Sequence, residues 1–169
     1  LYPLLRRLEG QGLLTSTSSY EETITTADDP GASADLVLAL SALGHARGEA
    51  AALTDALATA IETYTGAGKE IYAGPSAKAL TVALDQGRDP GNFGGLDLLA
   101  RVESTVSTAG PTRGRISYSS EYGDYANVLG QAYAAGALTR AESDLADPAL
   151  NFLLAQQCEA GNFRLDFSK

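Results

Sequence analysis

Apolar side chains recur along this chain at intervals of three and four residues, interrupted by clusters of glycine, proline and small polar residues, and this pattern predicts a series of helices. Leu4, Leu5 and Leu8 share one face of a short helix over 2–8, which Gly10 and Gly12 close. Serine and threonine dominate 13–26, and Asp28-Asp29-Pro30 follows, which is the composition of an extended connection. A second helix is expected to open near Gly31, with Gly31 or Ser33 in its capping region, and to run through Leu36, Val37, Leu40 and Leu43 to Gly44. A third, over about 49–64, carries Leu53, Leu57, Ile61 and Tyr64 as a one-sided stripe. Pro75 sits in the first turn of a fourth, where Leu80, Val82, Ala83 and Leu84 are apolar on more than one side. That fourth helix should therefore be more deeply buried than the third. A fifth follows over about 96–106, then a hairpin-like segment over 110–118. The sixth is expected to start at Tyr122-Gly123-Asp124 and reach about Leu138, and the seventh to run from Asp147 to Cys158.

Three of these helix starts are alike in their small residues, and their shared alanines, Ala34, Ala77 and Ala126, lie 43 and 49 residues apart. Such spacing suits helical-hairpin repeats, in which each unit covers the apolar face of its neighbour. Small side chains suit a layer enclosed on both sides, whereas one-sided stripes suit a layer with a wet face. The helices opening near Gly31, Gly74 and Asp124 are thus expected inside, and those opening near Glu49, Leu96 and Asp147 outside. The fold class that follows is all-α, an arc of antiparallel hairpins of about seven helices with short extended connections near 13–26 and 110–119.

After the last helix the chain reads Leu153-Leu154-Ala155-Gln156-Gln157-Cys158, followed by Gly161 and Phe163. This string resembles the QW-type repeat of the α/α-toroid superfamily of terpenoid cyclases and protein prenyltransferases, with phenylalanine where tryptophan is usual. The whole pattern, from about Leu4 to Phe167, looks like the prenyltransferase/squalene-oxidase-type repeats of actinobacterial cell-surface proteins. The resemblance implies a partial α/α toroid, a structural role for Gln156, Gln157, Cys158, Gly161 and Phe163, and an extracellular or cell-surface setting. The expected function is a non-enzymatic binding or structural module that uses a concave face. The alternative within the same superfamily is an enzyme fragment, because the DxDD and DDxxD acids of the cyclases are missing from this sequence. Separately, Leu1-Tyr2-Pro3-Leu4-Leu5-Arg6-Arg7-Leu8-Glu9-Gly10-Gln11-Gly12-Leu13-Leu14 is similar to the recognition-helix region of PadR-type winged-helix regulators, which implies a transcriptional regulator as a further alternative, but no basic wing follows Ser16.

Charge narrows the partners. A formal net charge of -9 repels phosphate backbones, which argues against nucleic acid. No apolar run approaches the roughly 20 residues a membrane-spanning helix needs. Apolar residues make up 44% of the chain, enough for a folded core. Because it opens at Leu1 inside a helix-like segment, the chain is expected to be a single domain over 1–169 cut from a larger one. Its open edges would then meet the rest of that chain or a second copy.

Few residues offer chemistry. One cysteine and one histidine, Cys158 and His45, fall short of a zinc ligand set, so no metal or cofactor is expected. Gly66-Ala67-Gly68-Lys69-Glu70 lacks the upstream glycine and the hydroxyl residue of a phosphate loop. The constellation that stands out is Asp124, Asn127 and Gln131, spaced to share one helical stripe. With Glu121, Tyr122 and Lys78 it would form a ligand-facing wall for a small molecule. Capping by Asp124 and backbone hydrogen bonds from Asn127 and Gln131 are the structural alternative.

Overall fold

The computed structural model describes residues 29–44 and 46–167. The helix expected over 2–8, the connection over 13–26, the winged-helix-like stretch and His45 lie outside the described residues. The described chain is all-α. Its helices are α1 (Pro30–Leu43), α2 (Arg47–Thr59), α3 (Ile61–Thr65), α4 (Ala73–Asp85), α5 (Leu98–Thr105), α6 (Val128–Arg140) and α7 (Ala146–Ala155). Among the described residues there is no strand, only four isolated antiparallel bridges.

Local chemistry explains where the boundaries fall. Asp29 caps α1 by accepting the Ala32 N–H at 2.9 Å, and Pro30 takes the first helical position, so the helix begins one residue before the expected Gly31. Gly44, at φ 66°, closes it in the left-handed conformation that glycine adopts without strain. The single helix expected over 49–64 is two, α2 and α3. At Ala60 the N–H is shared between the Ala56 and Leu57 carbonyls, at 3.2 and 3.1 Å, which tightens the last turn of α2. Asp97 caps α5 through the Ala100 N–H at 2.8 Å. The largest displacement is in α6, which starts at Val128 rather than at 122–124. Asp124 accepts the N–H groups of Tyr118 and Ala126 instead of capping a helix, and Asn127 is the cap, accepting from Leu129 and Gly130.

The order of neighbours is consistent with two layers of hairpins. α4 packs between α1 and α6, while α2 packs on α1, α5 on α4 and α7 on α6. α4 buries Ala73, Ser76, Ala77, Ala79, Leu80, Val82 and Ala83, whereas α2 buries only Ala50, Leu53, Thr54 and Leu57 along one stripe. The core is continuous from Val37 and Leu57 through Leu80 and Val102 to Leu138 and Ala149. Each fully buried aliphatic side chain of this kind is worth about 1.5–3 kcal/mol relative to exposure.

α4 and α6 meet through glycine. A Cβ added at Gly130 would lie 3.0 Å from the Gly74 Cα and 3.3 Å from the Ile116 side chain. The segment before α6 is tied to the start of α4 by reciprocal bonds between Ile71 and Ser119, at 2.8 and 3.0 Å. The expected hairpin-like segment turns back on α5, with Ser107 donating to Arg115 at 2.9 Å and Ser117 to Thr105 at 3.0 Å.

Two glycines of α6 should therefore respond with opposite sign. Gly136 has nothing within 4 Å of its added Cβ, so Gly136→Ala should stabilise by up to about 1 kcal/mol through helix propensity alone. At Gly130 a clash costing about 1–3 kcal/mol outweighs that gain, so Gly130→Ala should lower stability by about 1 kcal/mol. Urea unfolding of both variants checks this, and equal effects would contradict the close crossing.

Candidate functional site: a tyrosine-lined groove

Of the eight tyrosines in the chain, the six that fall among the described residues line two adjoining cavities. The first, about 370 Å³, is bounded by Tyr64, Tyr118, Tyr125 and Tyr133 together with Asp35, Gly74, Pro75, Lys78, Asn127, Leu129 and Gly130. The second, about 280 Å³, shares Pro75, Tyr118 and Tyr125 with the first and adds Tyr72, Ser120 and Tyr122. Together they make one groove over the N-terminal ends of α4 and α6. The glycine crossing explains its floor, because Gly74 and Gly130 leave no side chains there.

The rings are arranged in contact. Tyr72 and Tyr118 stack with centroids 5.8 Å apart, and Tyr125 meets Tyr118 edge-on at 6.3 Å. The Tyr125 hydroxyl donates to the Tyr122 carbonyl at 2.9 Å, which fixes the turn that carries both rings. Tyr122 and Tyr125 remain 70% and 63% exposed, and Leu129 beside them 63%. Large apolar faces left open in a cleft mark a contact surface more often than isolated exposed residues do.

Lys78, the α4 residue expected at the wall, does line the groove. Its ammonium pairs with Asp35 of α1 at 2.7 Å and lies 5.8 Å from the Tyr133 ring centroid. Asn127 lines it as the α6 cap, and Tyr122 forms part of the second cavity. The expected helical stripe of Asp124, Asn127 and Gln131 does not exist, because Asp124 precedes the helix and Gln131 points elsewhere. Asp124 pairs with Arg115 at 2.8 Å and holds the Tyr118 N–H at 2.9 Å. Burial works to raise its carboxyl, but those N–H groups and Arg115 hold it below the ordinary carboxylate value. Glu121 lines neither cavity. Its N–H donates to Glu70 at 3.0 Å.

Gln131 is fully buried and fully bonded. It accepts the Ile116 N–H at 2.9 Å and donates to the carbonyls of Gly114 and Ala149, at 2.8 and 3.0 Å. One side chain thus satisfies three backbone groups from two segments and fastens both to α6. Replacing it with leucine strands the Ile116 N–H and the Gly114 carbonyl, at about 1–3 kcal/mol for each buried group left unpaired, while the Ala149 carbonyl keeps its helical partner. Gln131→Leu should cost about 3 kcal/mol in denaturant unfolding, and a loss under about 1 kcal/mol would contradict the latch.

Sequence reasoning missed Glu70 and Arg101. Arg101 of α5 donates from Nη2 to the carbonyls of Thr65, Gly66 and Glu70, which holds the turn after α3. That turn presents Glu70, whose carboxylate accepts from Ser120 Oγ at 3.0 Å and from the Glu121 N–H. The Glu121 N–H first, and the Tyr72 hydroxyl after it, hold the Glu70 carboxyl below its usual range. No sequence signal marked Arg101, since its partners are backbone carbonyls far along the chain. The tyrosines did carry one, with Tyr118, Tyr122, Tyr125 and Tyr133 falling within a single short stretch.

The QW-like motif forms a closed turn after α7. Gln157 Nε2 donates to the Gly161 carbonyl at 2.8 Å, Cys158 N–H to Asn162 at 2.8 Å, and Gln157 bridges Phe163. α7 itself ends at Ala155, before the expected Cys158, and Gln156 is its cap. Cys158 is a free thiol. Among the described residues no group of three histidine, cysteine or acidic side chains is placed to hold a metal ion, and no helix is long and apolar enough to cross a membrane. Neither family models, nor curated proteins, nor solved structures gave a match to this chain.

The phenols report on the groove. Burial first, and Asp35 after it, pushes the Tyr64 hydroxyl well above its ordinary 10.0. Tyr118 is raised by burial, partly offset by the Gly74 N–H at its oxygen, and Tyr72 is raised by its hydrogen bond to Glu70. A raised phenol favours the neutral form in the folded protein, so its contribution to stability is complete below pH 10 and is lost as pH rises through the folded value. Alkaline titration followed by tyrosinate absorbance should show a late-ionising group of tyrosines that disappears in denaturant. A single step in the folded protein would contradict the packing of these rings.

Proposed function

We propose that this chain is a non-enzymatic binding module whose working surface is the tyrosine groove. The observation that carries this reading is the convergence of Tyr64, Tyr72, Tyr118, Tyr122, Tyr125 and Tyr133 on two adjoining cavities while Tyr122, Tyr125 and Leu129 stay open to solvent. A structural cluster would bury these faces. Small-ligand sites combine apolar and aromatic walls with a few fixed polar groups, and Lys78, Asp35 and Asn127 are the fixed groups here. The arc of hairpins expected from the repeats places its working surface where small-residue helices approach, and an exported or cell-surface setting belongs to the same proposal through the resemblance of those repeats.

A fragment mixture titrated against protein with ring-labelled tyrosine tests the reading by NMR. Fragments should shift Tyr118, Tyr122 and Tyr125 in preference to tyrosines in denatured controls. The double substitution Tyr122→Ser and Tyr125→Ser, which gives up the Tyr125 hydroxyl bond and its edge contact with Tyr118, should cost about 1–2 kcal/mol in a protein that stays folded and abolish the Tyr118 shift. A groove that no fragment perturbs, or shifts that persist in the double variant, would count against binding there.

A further inference from the structure

We propose that the second cavity receives the quaternary ammonium group of a small solute; this rests on the groove being a binding surface and adds the chemistry of its occupant. The rings of Tyr72, Tyr118 and Tyr125 bound the cavity in two nearly perpendicular orientations, since Tyr72 lies 25° from Tyr118 and Tyr125 lies 79° from it. Ring faces carry the negative part of the aromatic quadrupole and attract a cation set against them. The volume, about 280 Å³, is just under the roughly 300–1,000 Å³ of sites for drug-sized ligands, so it fits a headgroup.

Charge selects the sign of the occupant. Glu70 sits at the cavity rim, since its carboxylate accepts from the lining Ser120 Oγ at 3.0 Å and from the Glu121 N–H at 3.0 Å, and its charge acts on the lining Tyr72 phenol. No basic side chain is among the lining residues. Lys69 precedes Glu70 but makes no ion pair among the described residues, and Arg115 is engaged by Asp124 at 2.8 Å and by the Phe167 ring at 4.9 Å. The charge fixed by hydrogen bonds at the cavity rim is therefore negative, which favours a cation over an anion.

Hydrogen bonding selects the kind of cation. Glu70 is not among the lining residues, and its carboxylate is turned to Ser120 Oγ and the Glu121 N–H, so it offers charge rather than a direct acceptor to an occupant. A primary ammonium needs acceptors for its three donors. The first cavity shows what such a group requires, because Lys78 has a direct carboxylate partner in Asp35 as well as the Tyr133 ring. A methylated ammonium has no donors to satisfy and needs only ring faces and nearby negative charge.

Choline chloride is the probe, with 3,3-dimethylbutanol as its neutral isostere and equal sodium chloride as the salt control. The chain has no tryptophan, so intrinsic fluorescence reads tyrosine directly, and ring-labelled NMR locates the change. Choline should saturate the signals of Tyr72, Tyr118 and Tyr125 and bind about tenfold more tightly than the isostere, a gap of the size cation–π contacts supply. Glu70→Gln should remove most of that preference while leaving the isostere unchanged, and Tyr125→Phe should retain it where Tyr125→Leu does not. Equal binding of choline and the isostere would overturn the cation proposal while leaving the groove a binding surface. Choline silence alongside fragment binding at the groove would do the same, whereas silence of every probe would remove both readings.

Discussion

The contact between Gly74 of α4 and Gly130 of α6 sets the spacing on which the rest of the described structure depends. A Cβ on Gly130 would stand 3.0 Å from the Gly74 backbone, so α6 cannot carry a side chain there without a shift, and a Cβ on Gly74 would press on the Tyr118 hydroxyl at 3.1 Å. Close approach of two helices lets the alanines that follow, Ala77 and Ala134 among them, pack without large side chains between them. It also leaves open floor at the N-terminal ends of both helices. The tyrosines occupy the rim of that floor, where the connections entering α4 and α6 bring them.

Backbone groups in those connections are held by three polar side chains. Gln131 serves the segment around Gly114 and Ile116 and the start of α7, Arg101 serves the turn after α3, and Asp124 serves the turn that carries Tyr118. Loops between helices cannot satisfy their own polar groups in a ladder, so a small-residue helical fold with long connections needs such anchors. Their placement fixes the groove. Arg101 positions the turn that bears Glu70, and Asp124 with Arg115 fixes the backbone that bears Tyr118.

Much of the helical order was legible because its signals are local. Proline and aspartate before α1, the stripe of Leu53, Leu57 and Ile61, and the small residues of α4 each act within one or two turns. Where reading failed, a local rule met a competitor. Asp124 has the form of a helix cap, but its side chain closes a turn with Ala126 and hands capping to Asn127, which moves the helix start and dissolves the expected stripe. Gln131 looked like a wall residue because polarity on an apolar helix signals either a ligand or a satisfied backbone, and only the fold distinguishes them. The ligand wall expected from Asp124, Asn127 and Gln131 is instead a wall of tyrosine, reached by Lys78, Tyr122 and Asn127 from that expectation. Arg101 and Glu70 depend on contacts across 31 residues or more, beyond any local pattern.

The central claim is that two glycines in contact hold α4 against α6 and so assemble the tyrosine rim. Proton–proton nuclear Overhauser spectroscopy reads that contact without altering it. A strong cross-peak is expected between the Hα protons of Gly74 and Gly130, and another from Gly74 to the Tyr118 ring. A folded, well-dispersed spectrum in which the glycine pair shows no such cross-peak would place the two helices farther apart and remove the basis for the groove.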